Sequence, residues 1–393
     1  MKRRCISTTG LQKGFTVIQA VALAEIDPFL PNASGDEPLI DRDPRRPNER
    51  YFAHVDALVK ATNGRGLYIG MLPCWGSYFS ENESNCIFDP ASGQRFGEFH
   101  GKHYVGADLI WILGADRNVR TEHERGTVTA IADGLTIGDG GRHRKTYHLM
   151  GPGHSSEMFH VAHWLDFNII QSSHAAHGFD NGLMVKLDWT LSFAFLSLDG
   201  EPRYEGVPAG FYFAGCNPSN RMDDVDTRNV AYCGLLAGAC GHTYGNNSIW
   251  QMYAPGREAV IWARIPWFEA IHHPGSRQMS HVRTLFTQRP FEKLIPAQEM
   301  ILDGPSHGPA KIRAARASDG AFALIYSLEG EAFTVDMRGM RSRRVAQTSF
   351  DPRYGIFDTF HTGVRSILTF TSPNGGRGCD WTLVLDDPEW AST

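Results

Sequence analysis

The sequence lacks the features of several protein classes. No stretch approaches the run of about 18 apolar residues that a membrane-spanning helix needs, and the basic start, MKRRCISTTGLQKG, has no apolar signal segment after it. Long Lys/Arg blocks are also absent, and the formal net charge is −5. A surface that tracks nucleic-acid phosphates is therefore not expected. Taken as written, the sequence predicts a chain that is not exported, binds neither membrane nor nucleic acid, and has a neutral or small molecule as its partner.

Motifs of cofactor and metal chemistry are missing as well. The seven cysteines are scattered and never spaced as C-x-x-C, which excludes a disulfide framework and a zinc ribbon. No phosphate-binding glycine loop follows a strand, and the G-x-S-x-G of α/β-hydrolases does not occur. Among the 17 histidines, five crowd into one segment, but no H-E-x-x-H or spaced acidic partner accompanies them: His154, His160, His163, His174 and His177. We expect no cofactor and no catalytic metal.

The composition that is present belongs to a packed protein. Hydrophobic residues make up 42%, aromatic residues 11% and charged residues 21%, far from the signature of disorder. A length of 393 residues predicts two or three domains, or one large barrel with a small module.

Short apolar runs alternate with longer amphipathic segments over the first 300 residues. The helix candidates are Asn48–Asn63 and Val225–Ala239, the second starting at Asp226 and Thr227. This alternation predicts an α/β fold with a parallel sheet, and its repetition favours a TIM-type (β/α)₈ barrel over residues 1–302. The seven predicted strands are Gly14–Val21, Gly66–Pro73, Leu109–Gly114, Lys145–Met150, Asn168–Ser172, Phe195–Gly200 and Ser248–Gln251.

The pattern changes after a Gly/Pro/His-rich linker at 303–309. Short segments separated by Gly and Pro turns then predict a small antiparallel β-sandwich over residues 310–393. The predicted segments are Ala310–Ala317, Ala321–Leu328, Ala332–Met337, Arg343–Asp351, Ser366–Thr371 and Asp380–Leu385.

Polar side chains follow the predicted barrel strands, where a barrel of this kind places its active site. Aromatic faces, amides, imidazoles and two carboxylates suit a sugar, because two carboxylates can cleave a glycosidic bond as general acid and as nucleophile or base. Asp116 and Glu201 are the catalytic candidates. The substrate-binding candidates are Trp75, Tyr78, Asn118, His148, Gln171, His174, Tyr204, Glu205, His242, Tyr244 and Trp250.

Each carboxylate also has a structural interpretation. Asp116 could cap a following helix or pair with Arg117, and Glu201 could pair with Arg203. Asp199 and Glu205 compete locally with Glu201, and for these two as catalytic groups the structural interpretation is favoured.

A series of motifs resembles one known family. GFTVIQA, KATNGRGLYIGMLPCWG, LIWILGADRN, SSEMFHVAHWLDFNIIQSSH, LDGEPRYEG and LAGACGHTYGNNSIWQ occur in this order, as in the apiosidase-like glycoside hydrolases. The resemblance covers about residues 10–300, a barrel long known as a domain of unknown function, and 305–388, a sandwich named a collagen-binding domain. We expect the sandwich to serve as a packing or carbohydrate-contact module.

The resemblance implies a retaining mechanism, with the acid/base after the fourth strand and the nucleophile after the seventh. By motif these are Asp116 of WILGAD and Glu201 of DGEP. Retention requires carboxyl groups about 5–5.5 Å apart, whereas a separation of about 6.5–9.5 Å implies inversion. The implied activity is release of terminal apiose from a plant pectic side chain, with arabinose and rhamnose left open. The alternative is a non-catalytic carbohydrate- or matrix-binding protein.

The start of the sequence departs from this family. Relatives begin with a strand and a helix, whereas this sequence opens near the end of that helix. We therefore expect the first barrel strand to be missing and the chain as written to be poorly soluble or inactive, unless Met1–Thr9 supplies a replacement strand. For a longer version, the resemblance implies an extracellular or periplasmic location.

Overall fold

The computed structural model describes residues 3–25, 27–174, 178–191 and 196–388. By contact density the chain divides into two compact units, residues 1–171 and 172–393.

The first unit is built on a parallel sheet of four strands in the order β1-β2-β3-β4. The register is continuous, with Val17 opposite Tyr68, Ile69 opposite Leu109 and Trp111 opposite Lys145. Most residues of β2, β3 and β4 are buried, as expected for parallel strands covered on both faces. The strands are β1 (Val17–Val21), β2 (Tyr68–Leu72), β3 (Leu109–Gly114) and β4 (Lys145–His148). Two further strands, β5 (Gly153–His154) and β6 (Asn168–Gln171), pair antiparallel with each other.

Helices follow the strands in this unit. The predicted helix at Asn48–Asn63 is confirmed, with the Asn48 side chain accepting from the backbone N–H of Arg50 as its N-cap. The next two long helices pack so closely that a Cβ on Gly97 would lie 2.2 Å from the Ile131 carbonyl oxygen. The helices are α1 (Arg3–Gln12), α2 (Glu49–Asn63), α3 (Pro90–His103), α4 (Glu122–Asp139) and α5 (Ser156–Phe159).

The N-terminal segment is helical in every residue that the structure describes before Lys13. Residues 3–9 belong to α1, so the alternative in which Met1–Thr9 forms a replacement strand is wrong for this part; Met1 and Lys2 lie outside the described residues.

The second unit contains two short parallel strands, β7 (Ser197–Asp199) and β8 (Gly241–His242). Phe195, the first residue of the predicted strand, lies outside the described residues. The predicted strand at Ser248–Gln251 is wrong, because Asn246 caps a helical turn there by accepting from the N–H of Ser248. The helices are α6 (Asn181–Trp189), α7 (Asp224–Leu236), α8 (Asn247–Trp250), α9 (Trp267–Ala270) and α10 (Pro274–Thr287).

Helix α7 starts at Asp224, one residue before the predicted range of Val225–Ala239. Asp223 and Asp226 form a reciprocal capping box, in which each side chain accepts a backbone N–H from the other's position. Asp226 therefore lies inside the first turn and helps to start the helix from there.

Antiparallel sheets complete the second unit, in the orders β15-β14-β17-β12-β11-β9 and β10-β13-β16. Each of the six predicted segments contains a strand. The sequence analysis missed β9, β10 and β15. Strand β9 pairs with β11, and β10 pairs with β13. These pairings begin before the expected linker at 303–309, and β10 ends at the first residue of that linker, Asp303. The strands are β9 (Leu294–Pro296), β10 (Ile301–Asp303), β11 (Arg313–Ala317), β12 (Phe322–Ser327), β13 (Phe333–Asp336), β14 (Arg344–Asp351), β15 (Ile356–Val364), β16 (Ile367–Phe370) and β17 (Trp381–Asp386).

Three buried ion pairs join these sheets to the helices of the same unit. Arg228 of α7 makes a two-pronged contact with Asp380, at 2.9 and 2.8 Å. The other two pairs are Arg289 with Asp386 and Arg313 with Asp180. No helix among the described residues is long and apolar enough to cross a membrane.

Candidate active site

Asp116 follows β3 on an unusual backbone. Gly114, Ala115 and Asp116 all have positive φ angles, of 95°, 73° and 54°. Residues with a Cβ rarely adopt this conformation, and it persists only where neighbouring contacts hold it. The Ala115 N–H donates to the His148 carbonyl at 2.9 Å, and the Gly76 N–H donates to the Ala115 carbonyl at 3.2 Å. These contacts hold the backbone at the end of β3 in a fixed conformation, which sets the direction of the Asp116 side chain.

Gln171, at the end of β6, contacts the Asp116 side chain. Its amide Nε2 donates to Asp116 Oδ1 at 3.3 Å. The Gln171 Oε1 atom is buried and has no hydrogen-bond partner among the described residues. His148 is also buried, and its Nδ1 accepts a long contact of 3.5 Å from the Asp116 N–H.

Neither structural alternative for Asp116 is supported. The helix that follows is capped by Thr121, whose side chain accepts from the Glu124 N–H. Arg117 bonds to the carboxylate of Glu83 at 3.0 Å and to the main-chain carbonyl of Asp116 at 2.8 Å.

The other candidates of the first unit have different surroundings. Trp75 follows β2, and its buried Nε1 has no partner among the described residues. Asn118 accepts from the Met150 N–H at 3.1 Å and so positions the segment after β4. The prediction of Tyr78 as a substrate contact is corrected, because its side chain is fully buried in the core and its hydroxyl donates to the Ala24 carbonyl.

Glu201 follows β7 in the second unit. The Ser173 N–H donates to the Glu201 carbonyl at 3.0 Å, and His174 Nδ1 lies 3.4 Å from Glu201 Oε1. Ser173 has a positive φ of 72°, a second strained residue beside a candidate carboxylate. Arg203, the suggested partner of Glu201, bonds to the side chain of Asn229 and to the Phe179 carbonyl.

Aromatic rings surround His174. Its ring centroid lies 4.8 Å from that of Tyr204 and 5.3 Å from that of Phe211, which it stacks against at 15°. The Tyr204 ring rests directly on Gly245, where a Cβ would lie 2.0 Å from the ring. The sequence analysis missed Phe211, and no strand-end signal marks it.

Glu205 and Tyr244 form a structural pair. Glu205 is buried and accepts from the Tyr244 hydroxyl at 2.6 Å and from the Gly275 N–H at 3.2 Å. Burial raises the pKa of the Glu205 carboxyl above its usual range. Their polar groups bond to each other, which gives both residues a structural role, and their assignment as substrate contacts stays a prediction.

His242 and Trp250 differ in exposure. Both ring nitrogens of His242 are buried without a partner among the described residues, and burial lowers the pKa of this imidazole to about 3. A neutral imidazole with one donor and one acceptor suits a sugar hydroxyl. Trp250 ends α8 and is 40% exposed.

Asp199 is a buried carboxyl two residues before Glu201. It accepts from the Ser172 hydroxyl at 2.8 Å and from the Asn181 side-chain amide at 3.0 Å. Burial raises the pKa of Asp199 to about 6 despite these bonds. Because Ser172 leads directly into Ser173 and His174, Asp199 ties β7 to the segment that contacts Glu201.

The raised pKa of Asp199 predicts that the free energy of unfolding depends on pH. An unfolded Asp titrates near pH 3.9, whereas Asp199 in the folded chain has a pKa of about 6. The folded state therefore binds the proton more tightly. The stabilisation is complete below about pH 4 and is lost as the pH rises through the folded value, with a size on the order of 3 kcal/mol.

The Asp199→Asn variant cannot ionise and should lack this loss. Urea unfolding of both proteins at about pH 4.5 and about pH 7.5 measures it. Other groups titrate in both proteins, so the difference between the two pH slopes reports Asp199. Equal slopes would show that Asp199 does not titrate in this interval.

The crowded histidines make no recognisable metal site. Over residues 3–25, 27–174, 178–191 and 196–388 there is no group of three or more His, Cys, Asp or Glu side chains that could hold a metal ion. His163 contacts Asp133 at 2.7 Å, and His177 lies outside the described residues.

Comparison with known protein families shows the family to which the chain belongs. Residues 8–293 match the model described as "Apiosidase-like, catalytic domain". The chain belongs to the apiosidase-like family. Residues 295–386 match the model described as "Putative collagen-binding domain of a collagenase". A search of curated protein sequences found no match.

Solved structures of glycoside hydrolases have the same fold as this chain. A glycoside hydrolase is 25% identical with a TM-score of 0.90, and the match covers 99% of this chain and 89% of the other. A family 5 glycoside hydrolase from Bacteroides vulgatus is 23% identical, also with a TM-score of 0.90, over 99% of this chain and 86% of the other. A more distant GH5_18 protein from Streptomyces cattleya, in complex with GlcNAc, is 13% identical with a TM-score of 0.50, over 73% and 76% of the two chains.

These matches confirm the predicted fold class, a TIM-type barrel followed by an antiparallel β-sandwich. This apiosidase-like protein is a glycoside hydrolase. The non-catalytic alternative therefore receives no support.

Proposed function

We propose that this glycoside hydrolase is a retaining enzyme in which Glu201 is the nucleophile and Asp116 the acid/base. The Glu201 carboxylate attacks the anomeric carbon while Asp116 protonates the departing glycosidic oxygen, so that the carbon–oxygen bond breaks as the glycosyl ester forms. Water then attacks the same carbon, Asp116 takes a proton from that water, and the Glu201 carboxylate is released.

The observation that carries the proposal is the backbone at Asp116. Asp116 comes directly after a buried parallel strand and is the last of three consecutive residues with positive φ. It lies within the residues that match the catalytic domain of the family. The cost of such strain is on the order of 1–3 kcal/mol for each residue with a Cβ, and such residues cluster at active sites. Glu201 has a comparable setting, because Ser173 is strained beside it and His174 contacts its carboxylate.

Buried polar atoms support a sugar as the substrate. Trp75 Nε1, Gln171 Oε1 and both ring nitrogens of His242 lack partners among the described residues. Buried polar groups are normally paired, so donors and acceptors left open at strand ends suit the hydroxyls of a ligand. These groups carry no net charge, which favours a neutral sugar.

For the substrate we propose a terminal pentose of plant cell-wall pectin, with apiose as the first choice. The family description supports this choice. Arabinose, a linear pentose, and rhamnose, a 6-deoxyhexose, stay as alternatives.

Incubation with pectic oligosaccharides is expected to release a terminal monosaccharide, apiose first. Sugar analysis of the released material identifies it, and release of hexoses alone would reject the pentose assignment. Proton NMR in the first minutes should show a product with the anomeric configuration of the substrate. A product of inverted configuration would exclude Glu201 as a nucleophile and place the enzyme in the inverting class.

A further inference from the structure

An ordered loop follows the Glu201 segment within the second unit. Residues 207–222, called here the aromatic loop, leave and rejoin the chain through paired backbone bonds. The Gly206 N–H donates to the Met222 carbonyl at 2.9 Å, and the Met222 N–H donates to the Val207 carbonyl at 3.0 Å. The Ala209 N–H then donates to the Asn220 carbonyl at 2.8 Å. The base of the loop is therefore anchored like a short hairpin.

Three consecutive aromatic residues form the tip of this loop. Gly210 turns the chain with a φ of 71°, and the Phe213 N–H donates back to its carbonyl at 2.9 Å. Phe211 stacks on His174, whereas Tyr212 and Phe213 are 64% and 69% exposed. Two large aromatic residues that follow each other in the chain and are both this exposed are candidates for a binding surface.

The loop is nearly uncharged. It contains no acidic residue, and its one basic residue is Arg221. The Arg221 guanidinium donates to the Gly206 carbonyl and, at 2.7 Å, to the Trp262 carbonyl, so its charge is used in holding the base of the loop. The exposed aromatic rings thus offer flat, neutral surfaces, which suit the C–H face of an uncharged sugar ring.

We propose that Tyr212 and Phe213 bind the aglycone, the part of an oligosaccharide that leaves when the terminal sugar is cleaved. This inference rests on the proposed function and concerns the same site. It follows from a short chain of contacts: Glu201 touches His174, His174 stacks on Phe211, and the ring centroid of Phe211 lies 3.9 Å from that of Tyr212. In this proposal the rest of the oligosaccharide extends from Glu201 along this series of contacts to the exposed rings.

Paired substrates test this proposal. One substrate is the pectic oligosaccharide from which the wild-type protein releases its terminal sugar, and the other is an aryl glycoside of that same sugar. The measured quantity is the ratio of kcat/KM for the oligosaccharide to kcat/KM for the aryl glycoside. Each of the variants Tyr212→Ala and Phe213→Ala should lower this ratio roughly tenfold, which corresponds to about 1.4 kcal/mol of lost contact with the aglycone.

Tyr354→Ala is the matched control. Tyr354 has the same exposure as Tyr212, 64%, but lies in the turn between β14 and β15. The control variant should keep the wild-type ratio. Far-ultraviolet circular dichroism of all variants checks that they are folded.

The outcomes separate this proposal from the proposed function. Failure of the wild-type protein to cleave either substrate would reject the proposed function itself. Cleavage of both substrates with an unchanged ratio in Tyr212→Ala and Phe213→Ala would overturn the aglycone site alone. An unchanged ratio together with a change of oligomeric state, measured by light scattering, would assign the two rings to contact with a second copy of the chain.

Discussion

Replacement of Glu201 by glutamine is expected to lower kcat by at least about 1,000-fold. Glutamine keeps the size of the side chain but cannot form the glycosyl ester, so the first chemical step loses its nucleophile. Steady-state hydrolysis of an aryl glycoside of the correct sugar measures the loss. Turnover near the wild-type value in Glu201→Gln would refute the assignment.

Glu205→Gln is the matched control for this substitution. Glu205 lies four residues further along the chain, is buried, and accepts from the Tyr244 hydroxyl and the Gly275 N–H. A glutamine oxygen can accept one of these bonds, so we expect a loss of stability with kcat changed less than about tenfold. An equal loss of kcat in both variants would indicate a general effect on the segment instead of nucleophilic catalysis.

Two further measurements distinguish the roles of the two carboxylates. Azide added to Glu201→Ala should restore part of the turnover, because it can attack the anomeric carbon in place of the missing carboxylate and yield a glycosyl azide. The kcat/KM of Asp116→Asn should fall about 100- to 10,000-fold on substrates that need a protonated leaving group, and much less on a dinitrophenyl glycoside, because kcat/KM reports the step that forms the glycosyl ester. A uniform loss on all substrates would argue against Asp116 as the acid.

Replacement of Asp380 by asparagine is expected to destabilise the protein by about 3–5 kcal/mol. The side chains of Arg228 and Asp380 are 1% and 0% exposed, and Asp380 also accepts from the Tyr326 hydroxyl at 3.2 Å. Removing one charge leaves the guanidinium of Arg228 with a weakened set of partners in a buried place, which costs far more than the intact pair contributes. Urea or thermal unfolding of the purified variant measures the change.

An exposed pair at the end of β13 provides the comparison. Asp336 and Arg338 also form a two-pronged contact, but the Arg338 side chain is 70% exposed. Asp336→Asn should therefore change the unfolding midpoint only slightly, because water replaces the lost partner. Equal effects of Asp336→Asn and Asp380→Asn would show that burial does not decide the strength of these contacts.

The same pairs bear on any truncation of the sandwich. Deletion of residues 305–393 removes Asp380, Asp386 and Arg313, the partners of Arg228, Arg289 and Asp180. Such a deletion leaves Arg228, Arg289 and Asp180 without their ion-pair partners and is expected to unfold the remaining helices. Loss of carbohydrate binding after this deletion would not locate the ligand on the sandwich, so point variants in the full chain are the better test.

Local patterns in the sequence determined much of the fold. Buried parallel strands appear as continuous apolar runs, which is why β2 and β3 were predicted close to their observed bounds. The predicted helix begins at Asn48, which the structure shows to be the N-cap of α2, with its side chain accepting from the Arg50 N–H. The error at Ser248–Gln251 has the same local origin, since an apolar Ile-Trp pair in a four-residue helix looks like a strand edge when the Asn246 cap is overlooked. The strands β9 and β10 depend on partners further along the chain and have no comparable local mark. Strand β15 pairs with its hairpin neighbour β14 and was missed although its partner is local.

The candidate site, like the fold, was predicted in part from the sequence and in part only from the structure. The sequence by itself determined which polar residues follow barrel strands, and so selected Asp116, Gln171, His174 and Glu201. The sequence already favoured Glu201 over Glu205 as the catalytic group, and the structure adds the partners of Glu205, which are Tyr244 and Gly275, 39 and 70 residues away.

Only the tertiary structure decided the strain at Ala115 and Asp116, the burial of Tyr78 and the pairing of Arg228 with Asp380, 152 residues apart. The physical reason is common to all of them. Strand and helix patterns arise from neighbours in the chain, whereas burial, strain and the pairing of a polar group are set by whichever distant residue packs against it.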